Sequence, residues 1–161
     1  METATRPYAF SRKVFCEGMR DGVPIALGYF AVSFSLGIAA RSAGLTPIQG
    51  FIASLFNNAS AGEYAAFSLI AAGATYVEVA IITLIANARY LLMSCALAQR
   101  FAPGTPFFHR LIIGYDVTDE LFGITIARPG CLNPFYTYGA ITLAAPAWAM
   151  GTALGIVAGN L

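Results

Sequence analysis

Three carboxylates stand close together in the chain, Asp116, Asp119 and Glu120, at spacing i, i+3 and i+4. On a continuous helix that spacing puts all three on one face. Carboxylates so close repel one another when charged, and a proton held among them relieves the repulsion. This is the chemistry a proton-coupled carrier uses. A second constellation is Asn57-Asn58-Ala59-Ser60-Ala61-Gly62-Glu63. Its Asn and Ser side chains compete with a helix for backbone hydrogen bonds, and Gly weakens the helix further. Where a helix breaks inside a membrane, the half-helix N-terminus offers N–H groups to an anion and the unwound carbonyls accept from a cation. A third group is Glu78, Asn87 and Arg89. On one straight helix Glu78 and Arg89 share a face but stand about 16 Å apart along the axis, too far to pair. Each constellation has a plainer alternative. The Asn-rich stretch can be a surface loop, Arg89 can snorkel to the interface, and Glu78 can be interfacial. Thr118-Asp119-Glu120 can simply start a helix at the surface.

The elements that position these groups are set by composition. The chain has 161 residues, 58% of them hydrophobic and only 11% charged. Soluble domains carry about 25% charged residues. Charge is absent from 22–40, 42–62 and 129–161, runs of 19, 21 and 33 residues. A spanning helix needs about 20 apolar residues. The predicted fold is therefore all-α, a polytopic integral membrane helix bundle with about four full spans plus a broken or re-entrant helix pair. Residues 1–22 form a polar, basic N-terminus, and 23–161 a single transmembrane domain. The spans are about 23–41, with Pro24 in its first turn, 48–75 broken near 58–62, then 76–99, 111–127 and 136–158. As one helix 48–75 would run about 42 Å against an apolar slab of about 30 Å, which is the second reason to break it. The run from Val23 is too long for a signal-peptide core and leads straight into further apolar segments.

Orientation depends on the Lys and Arg residues of the short loops. Arg6, Arg12, Lys13 and Arg20 make the N-terminus cytoplasmic. If 48–75 crosses fully, Lys and Arg divide five inside to three outside; if it re-enters, six to two. The charge bias favours the hairpin, while the two similar half-helices leave both topologies open.

Net charge is +1, with no basic run to track a phosphate backbone, so nucleic acid is excluded as a partner. Cys16, Cys95 and Cys131 are odd in number and widely spaced; they read as packing thiols, with no metal site and no cofactor. No HExxH, GxSxG or phosphate-cradling loop occurs, so the chain is read as not an enzyme. His109 reads as a lone surface histidine. Gly151, Gly155 and Gly159 form GxxxGxxxG, a small-residue face that lets membrane helices approach closely. The segment Leu-Gly-Ile-x-Ala occurs at 36–40 and again at 154–158, too short to establish a duplication.

Four stretches carry a resemblance to the AzlC-type family of branched-chain amino-acid permeases: Gly18-Met19-Arg20-Asp21-Gly22-Val23-Pro24-Ile25-Ala26-Leu27-Gly28-Tyr29, Ala59-Ser60-Ala61-Gly62-Glu63-Tyr64-Ala65, Asn87-Ala88-Arg89-Tyr90-Leu91-Leu92-Met93 and Thr118-Asp119-Glu120. The resemblance implies a multi-pass protein of the cell inner membrane. With a small hydrophobic AzlD-type subunit, it would export branched-chain and related amino acids. Family members commonly carry Gln where this chain has Glu63 and His where it has Tyr90. They also carry further membrane segments, so the resemblance leaves a natural short form and an incomplete chain both open. Together these readings give a carrier in the lipid bilayer whose amino-acid substrate is bound by Asn58, Ser60, Gly62, Glu63, Asn87 and Arg89. Asp116, Asp119 and Glu120 would couple transport to protons. The rival is a non-transporting assembly subunit, or an incomplete carrier needing a partner to close the bundle, with homo- or hetero-oligomers open in either case.

Overall fold

A computed structural model describes residues 9–159; Arg6 of the basic N-terminus and the final Asn160-Leu161 lie outside these. Among the described residues 77% are helical and no strand occurs. The helices run α1 Arg12–Ser42, α2 Pro47–Phe56, α3 Ser60–Ala71, α4 Tyr76–Ala86, α5 Arg89–Ala98, α6 Phe107–Tyr115, α7 Asp119–Ile126 and α8 Pro134–Ala158. Among the described residues, only α1 and α8 are long and apolar enough to cross a membrane by themselves; a third crossing results where α4 and α5 count as one bent span. Two compact units share these helices. One holds residues up to Ile25 together with Tyr90–Leu143, the other Ala26–Arg89 with Ala144–Leu161.

Several elements differ from the sequence expectation for local reasons. The first helix begins at Arg12 rather than 23, leaving Pro24 in its interior. The polar residues of 12–22 are adequate helix formers, and a membrane helix tolerates the donor that Pro removes. The expected span 76–99 is interrupted at Asn87, the C-cap of α4, so Glu78 and Arg89 lie on two different helices. Most consequential is the expected span 111–127. It is two helices of 9 and 8 residues, about 13 and 12 Å long, and neither crosses a slab of about 30 Å. Asp116 is the C-cap of α6. Thr118 is the N-cap of α7, its hydroxyl accepting from the Leu121 N–H at 3.3 Å. The three carboxylates therefore do not share a helical face. Instead Thr118-Asp119-Glu120 starts a helix, where acidic residues suit the positive end of the dipole.

In the first unit, the ends of several elements converge. The Arg100 guanidinium, just past α5, donates to the carbonyls of Ile126 and Gly130, each at 3.0 Å, and to that of Arg128. Leu132 N–H donates to the Arg100 carbonyl at 2.7 Å. Arg128 in turn pairs with Glu17 of α1 at 2.8 Å and lies over the Tyr136 ring of α8. Arg110 of α6 reaches the Ala98 carbonyl, and His109 Nδ1 meets the Tyr138 hydroxyl at 2.7 Å, so His109 is half-buried rather than lone. Since α6 starts and α7 finishes at this same cluster, the pair leaves and returns to one end of the unit. Both topologies read from charge place Arg128 opposite Arg100 and Arg110, whereas the structure joins the Arg100 side chain to the Arg128 carbonyl. Leu97 of α5, Ile113 of α6 and Val117 between α6 and α7 form a buried apolar core with Phe101 and Leu132.

Close packing of α1 on α8 recurs within each unit. In the first, a Cβ on Gly22 would meet Ala140 Cα at 2.9 Å. In the second, a side chain on Gly151 would strike Phe30 and Ser33, one on Gly155 the Phe34 carbonyl, and one on Gly159 would press Arg41 at 3.3 Å. Residue numbers rise together along both helices, so the pairing is parallel. Gly37 and Gly155, from the two copies of Leu-Gly-Ile-x-Ala, face each other, and the absent side chains let the backbones approach. The cysteines are free and exposed.

Candidate functional site

The second unit holds a break in the Asn-rich stretch, at Asn57–Ala59 between α2 and α3 rather than over the expected 58–62, since Ser60–Gly62 already form the first turn of α3. Helix α2 opens on a capping box, Thr46 with Gln49, and Pro47 at its first position. It ends where Asn57, in a non-helical conformation, becomes its C-cap. Helix α3 starts after Ala59 with no side-chain cap, so the side chains leave its first N–H groups available. Gly73, at φ +71°, turns the chain after α3. Helix α4 then starts on a second capping box. Thr75 N–H and hydroxyl both donate to Glu78 Oε2 at 2.8 Å. Glu78 is thus a helix-start residue.

Helices α3 and α4 pack together, bringing the tip of α2–α3 against the end of α4. Asn87 Nδ2 donates to Asn57 Oδ1 at 3.2 Å. The same amide lies on Gly62, where a Cβ would come within 2.7 Å of Nδ2. Beside this contact is an open groove of about 590 Å³, walled by Phe56, Val79 and Leu84 and carrying Asn57, Thr83 and Asn87. Thr83 Oγ1 and Asn87 Oδ1 are buried with no hydrogen-bond partner. Unsatisfied acceptors in an apolar wall are what a polar-headed ligand or a water would complete.

On the other side of α3, Glu63 is 1% exposed. Its Oε2 accepts from Trp148 Nε1 at 2.6 Å, and its Oε1 accepts from Thr152 Oγ1 at 3.1 Å and from Ser54 Oγ. Ser54 stands on α2 and the other two on α8, so a single carboxyl ties three helices. All three donors are neutral, and a buried carboxyl survives without a cation only when its oxygens are occupied in this way. Tyr29 packs edge-on against the Trp148 ring at 5.3 Å.

Of the residues expected to bind substrate, Gly62, Asn87 and the break are brought together. Asn58 is half-buried at the tip, Ser60 is exposed on the first turn of α3, and Arg89 is exposed at the start of α5. Glu63 turns from the break toward α2 and α8. Asp116 is buried, whereas Asp119 and Glu120 are exposed. Sequence reasoning missed Ser54, Trp148 and Thr152. They lie 9, 85 and 89 residues from Glu63, and a hydroxyl or indole in an apolar helix carries no local sign of its partner. Among the described residues, no group of three His, Cys, Asp or Glu is placed to hold a metal ion.

The fold and these contacts can be set beside known proteins. No solved structure matches the chain. An uncharacterized membrane protein of Archaeoglobus fulgidus is 28% identical over 147 residues, 91% of this chain and 64% of that protein. The inner membrane protein YgaZ of Escherichia coli K12 is 24% identical over 164 residues, 99% of this chain and 67% of YgaZ. An uncharacterized membrane protein of Helicobacter pylori 26695 is 23% identical over 151 residues, 92% of this chain and 65% of that protein. The chain spans about two thirds of the length of the curated relatives it matches. The AzlC protein family matches residues 24–161, which takes in α2–α8 and all but the first turns of α1. This chain, with its apolar long helices and broken short ones, is a membrane protein of the AzlC family.

Proposed function

We propose that the chain is a carrier rather than an enzyme, exporting branched-chain and related amino acids across the cell inner membrane with a small AzlD-type subunit. The observation that carries this reading is the α2–α3 tip beside the groove. A free amino acid has a carboxylate, an ammonium and, in this class, an aliphatic side chain. The uncapped N-terminus of α3 near Ser60–Gly62 suits the carboxylate, with Arg89 at the start of α5 as a second anion partner. Thr83 Oγ1 and Asn87 Oδ1 are acceptors for the ammonium. Phe56, Val79 and Leu84 offer the aliphatic side chain an apolar wall. The break can exist at membrane depth because protein covers part of it and the groove lines the rest.

The proposed topology has three crossings, α1, the bent α4–α5 and α8, and two re-entrant pairs, α2–α3 and α6–α7. The convergence of Arg100, Arg110 and Arg128 at one end supports it. With the N-terminus cytoplasmic, seven of the nine Lys and Arg (Arg6, Arg12, Lys13, Arg20, Arg100, Arg110 and Arg128) lie inside and Arg41 outside, a stronger bias than a division of five to three or six to two. In a chain otherwise free of cysteine, Cys131 and a cysteine replacing Gly104 should react with an impermeant maleimide from the same, cytoplasmic side. Reaction from opposite sides would overturn the re-entrant α6–α7.

Efflux of preloaded radiolabelled valine tests the function itself. Cells expressing this chain with the small subunit should lose valine faster than cells expressing either alone. Unchanged efflux, with both proteins in the membrane, would leave an assembly subunit as the better reading.

A further inference from the structure

We propose that Glu63 is a proton-binding site, buried between α2, α3 and α8, and that it supplies the coupling ion of the carrier. The coupling role rests on the transport reading; the proton site stands on its own geometry. The surroundings of Glu63 are complete for both protonation states. As the anion, it accepts from Ser54 Oγ–H, Trp148 Nε1–H and Thr152 Oγ1–H. As the acid, its O–H must donate. Trp148 can only donate, but a hydroxyl accepts as readily as it donates. Rotation of the Ser54 hydroxyl therefore turns it from donor to acceptor without moving a helix. The proton released passes to water, and a proton from water restores the acid.

The neighbouring elements bring little competing charge. Helices α2 and α8 contain no Asp, Glu, Lys, Arg or His. From α1, Tyr29 meets the Trp148 ring edge-on, while Arg41 lies beside Gly159. Tyr64 of α3 is exposed, Tyr76 and Glu78 are exposed at the start of α4, and Arg89 is exposed at the start of α5. In the acidic turn, by contrast, Asp119 and Glu120 are exposed on the first turn of α7. Glu63 is sealed from bulk and needs no cation, so a change in its charge changes the bonding of three helices at once.

The chain carries its own reporter. Trp148 is the sole tryptophan and its indole N–H bonds Glu63 directly. Titrating the purified full chain in nanodiscs from pH 4 to 9 (about the range carboxyls in proteins reach) should move the Trp148 emission through a single step. Glu63→Gln, which keeps the side chain's shape, should abolish the step, and Asp119→Asn should leave it unchanged. Ser54→Ala should keep the step but move its midpoint by about one pH unit. A flat titration in the unmodified chain, or a step that persists in Glu63→Gln, overturns the site. If Glu63→Gln does not fold, an unmoved midpoint in Ser54→Ala overturns it instead. Valine efflux separates this proposal from the transport reading: a step lost in Glu63→Gln without any efflux retains the proton site and sinks the valine reading. Efflux with a flat titration does the reverse.

Discussion

The chain interrupts its helices twice in a similar manner, at Asn57–Ala59 and at Asp116–Thr118, and the carboxyl groups on the helix that follows each break, Glu63 after the first and Asp119 and Glu120 after the second, are handled in opposite ways. At the first, the carboxyl lies beyond the break, on the inner face of α3, where Ser54, Trp148 and Thr152 occupy its oxygens. At the second, Asp119 and Glu120 sit just after a Thr cap and remain exposed on the first turn of α7. A carboxylate at a helix start is stabilised by the dipole beside which it stands. A buried carboxyl requires three other residues to be in place before it is tolerable. Charge at the α6–α7 tip is therefore a local matter, while charge at Glu63 is a property of the whole second unit.

Substitutions can break this contrast. Glu63→Ala should have the largest effect. It leaves buried donors on Ser54, Trp148 and Thr152 without an acceptor, at about 1–3 kcal/mol each, and thermal unfolding in detergent should begin many degrees lower. A loss comparable to that of an exposed residue would mean the three bonds contribute nothing. Gly155→Leu comes next. A side chain there strikes the α1 backbone at Phe34, and overpacking costs about 1–3 kcal/mol, again read as a fall in the unfolding temperature. Thr152→Val removes one of three donors and keeps the shape, so it should cost about 1 kcal/mol; a cost equal to Glu63→Ala would show that Thr152 alone holds the carboxyl. At the second tip, Thr118→Ala loses a cap worth about 1 kcal/mol. Asp119→Asn should be smallest, a few tenths of a kcal/mol, and should vanish in high salt. An Asp119→Asn effect rivalling Glu63→Ala would erase the distinction between the tips.

The helical class, the membrane and the first break were legible because each has a local cause. Charge-free runs of membrane length and a cluster of Asn, Ser and Gly act within a few residues of where they stand. The same locality explains the failure at 111–127. Spacing i, i+3, i+4 means one face only if the helix is continuous, and Thr118 stops it. The stretch from Glu120 to Arg128 is too short to cross, which draws the acidic turn into a span only if the segment must cross at all. The two short helices α6 and α7 show that the segment is not one continuous span. Charge counting depends on the same point, because it assigns sides only once the number of crossings is known.

By itself the sequence determined the features that local chemistry dictates: an apolar chain that must be helical in lipid, and a break within the Asn57–Glu63 stretch. Tertiary structure decided everything that depends on residues far apart. It made Trp148 and Thr152 the partners of Glu63, set α1 on α8 in parallel through Gly37 and Gly155, and joined Arg100 to Arg128. The physical reason is that a carboxyl, a glycine or an arginine carries in its own identity a need for a partner, for room or for a carbonyl. Which distant residue meets that need is set only when the helices pack.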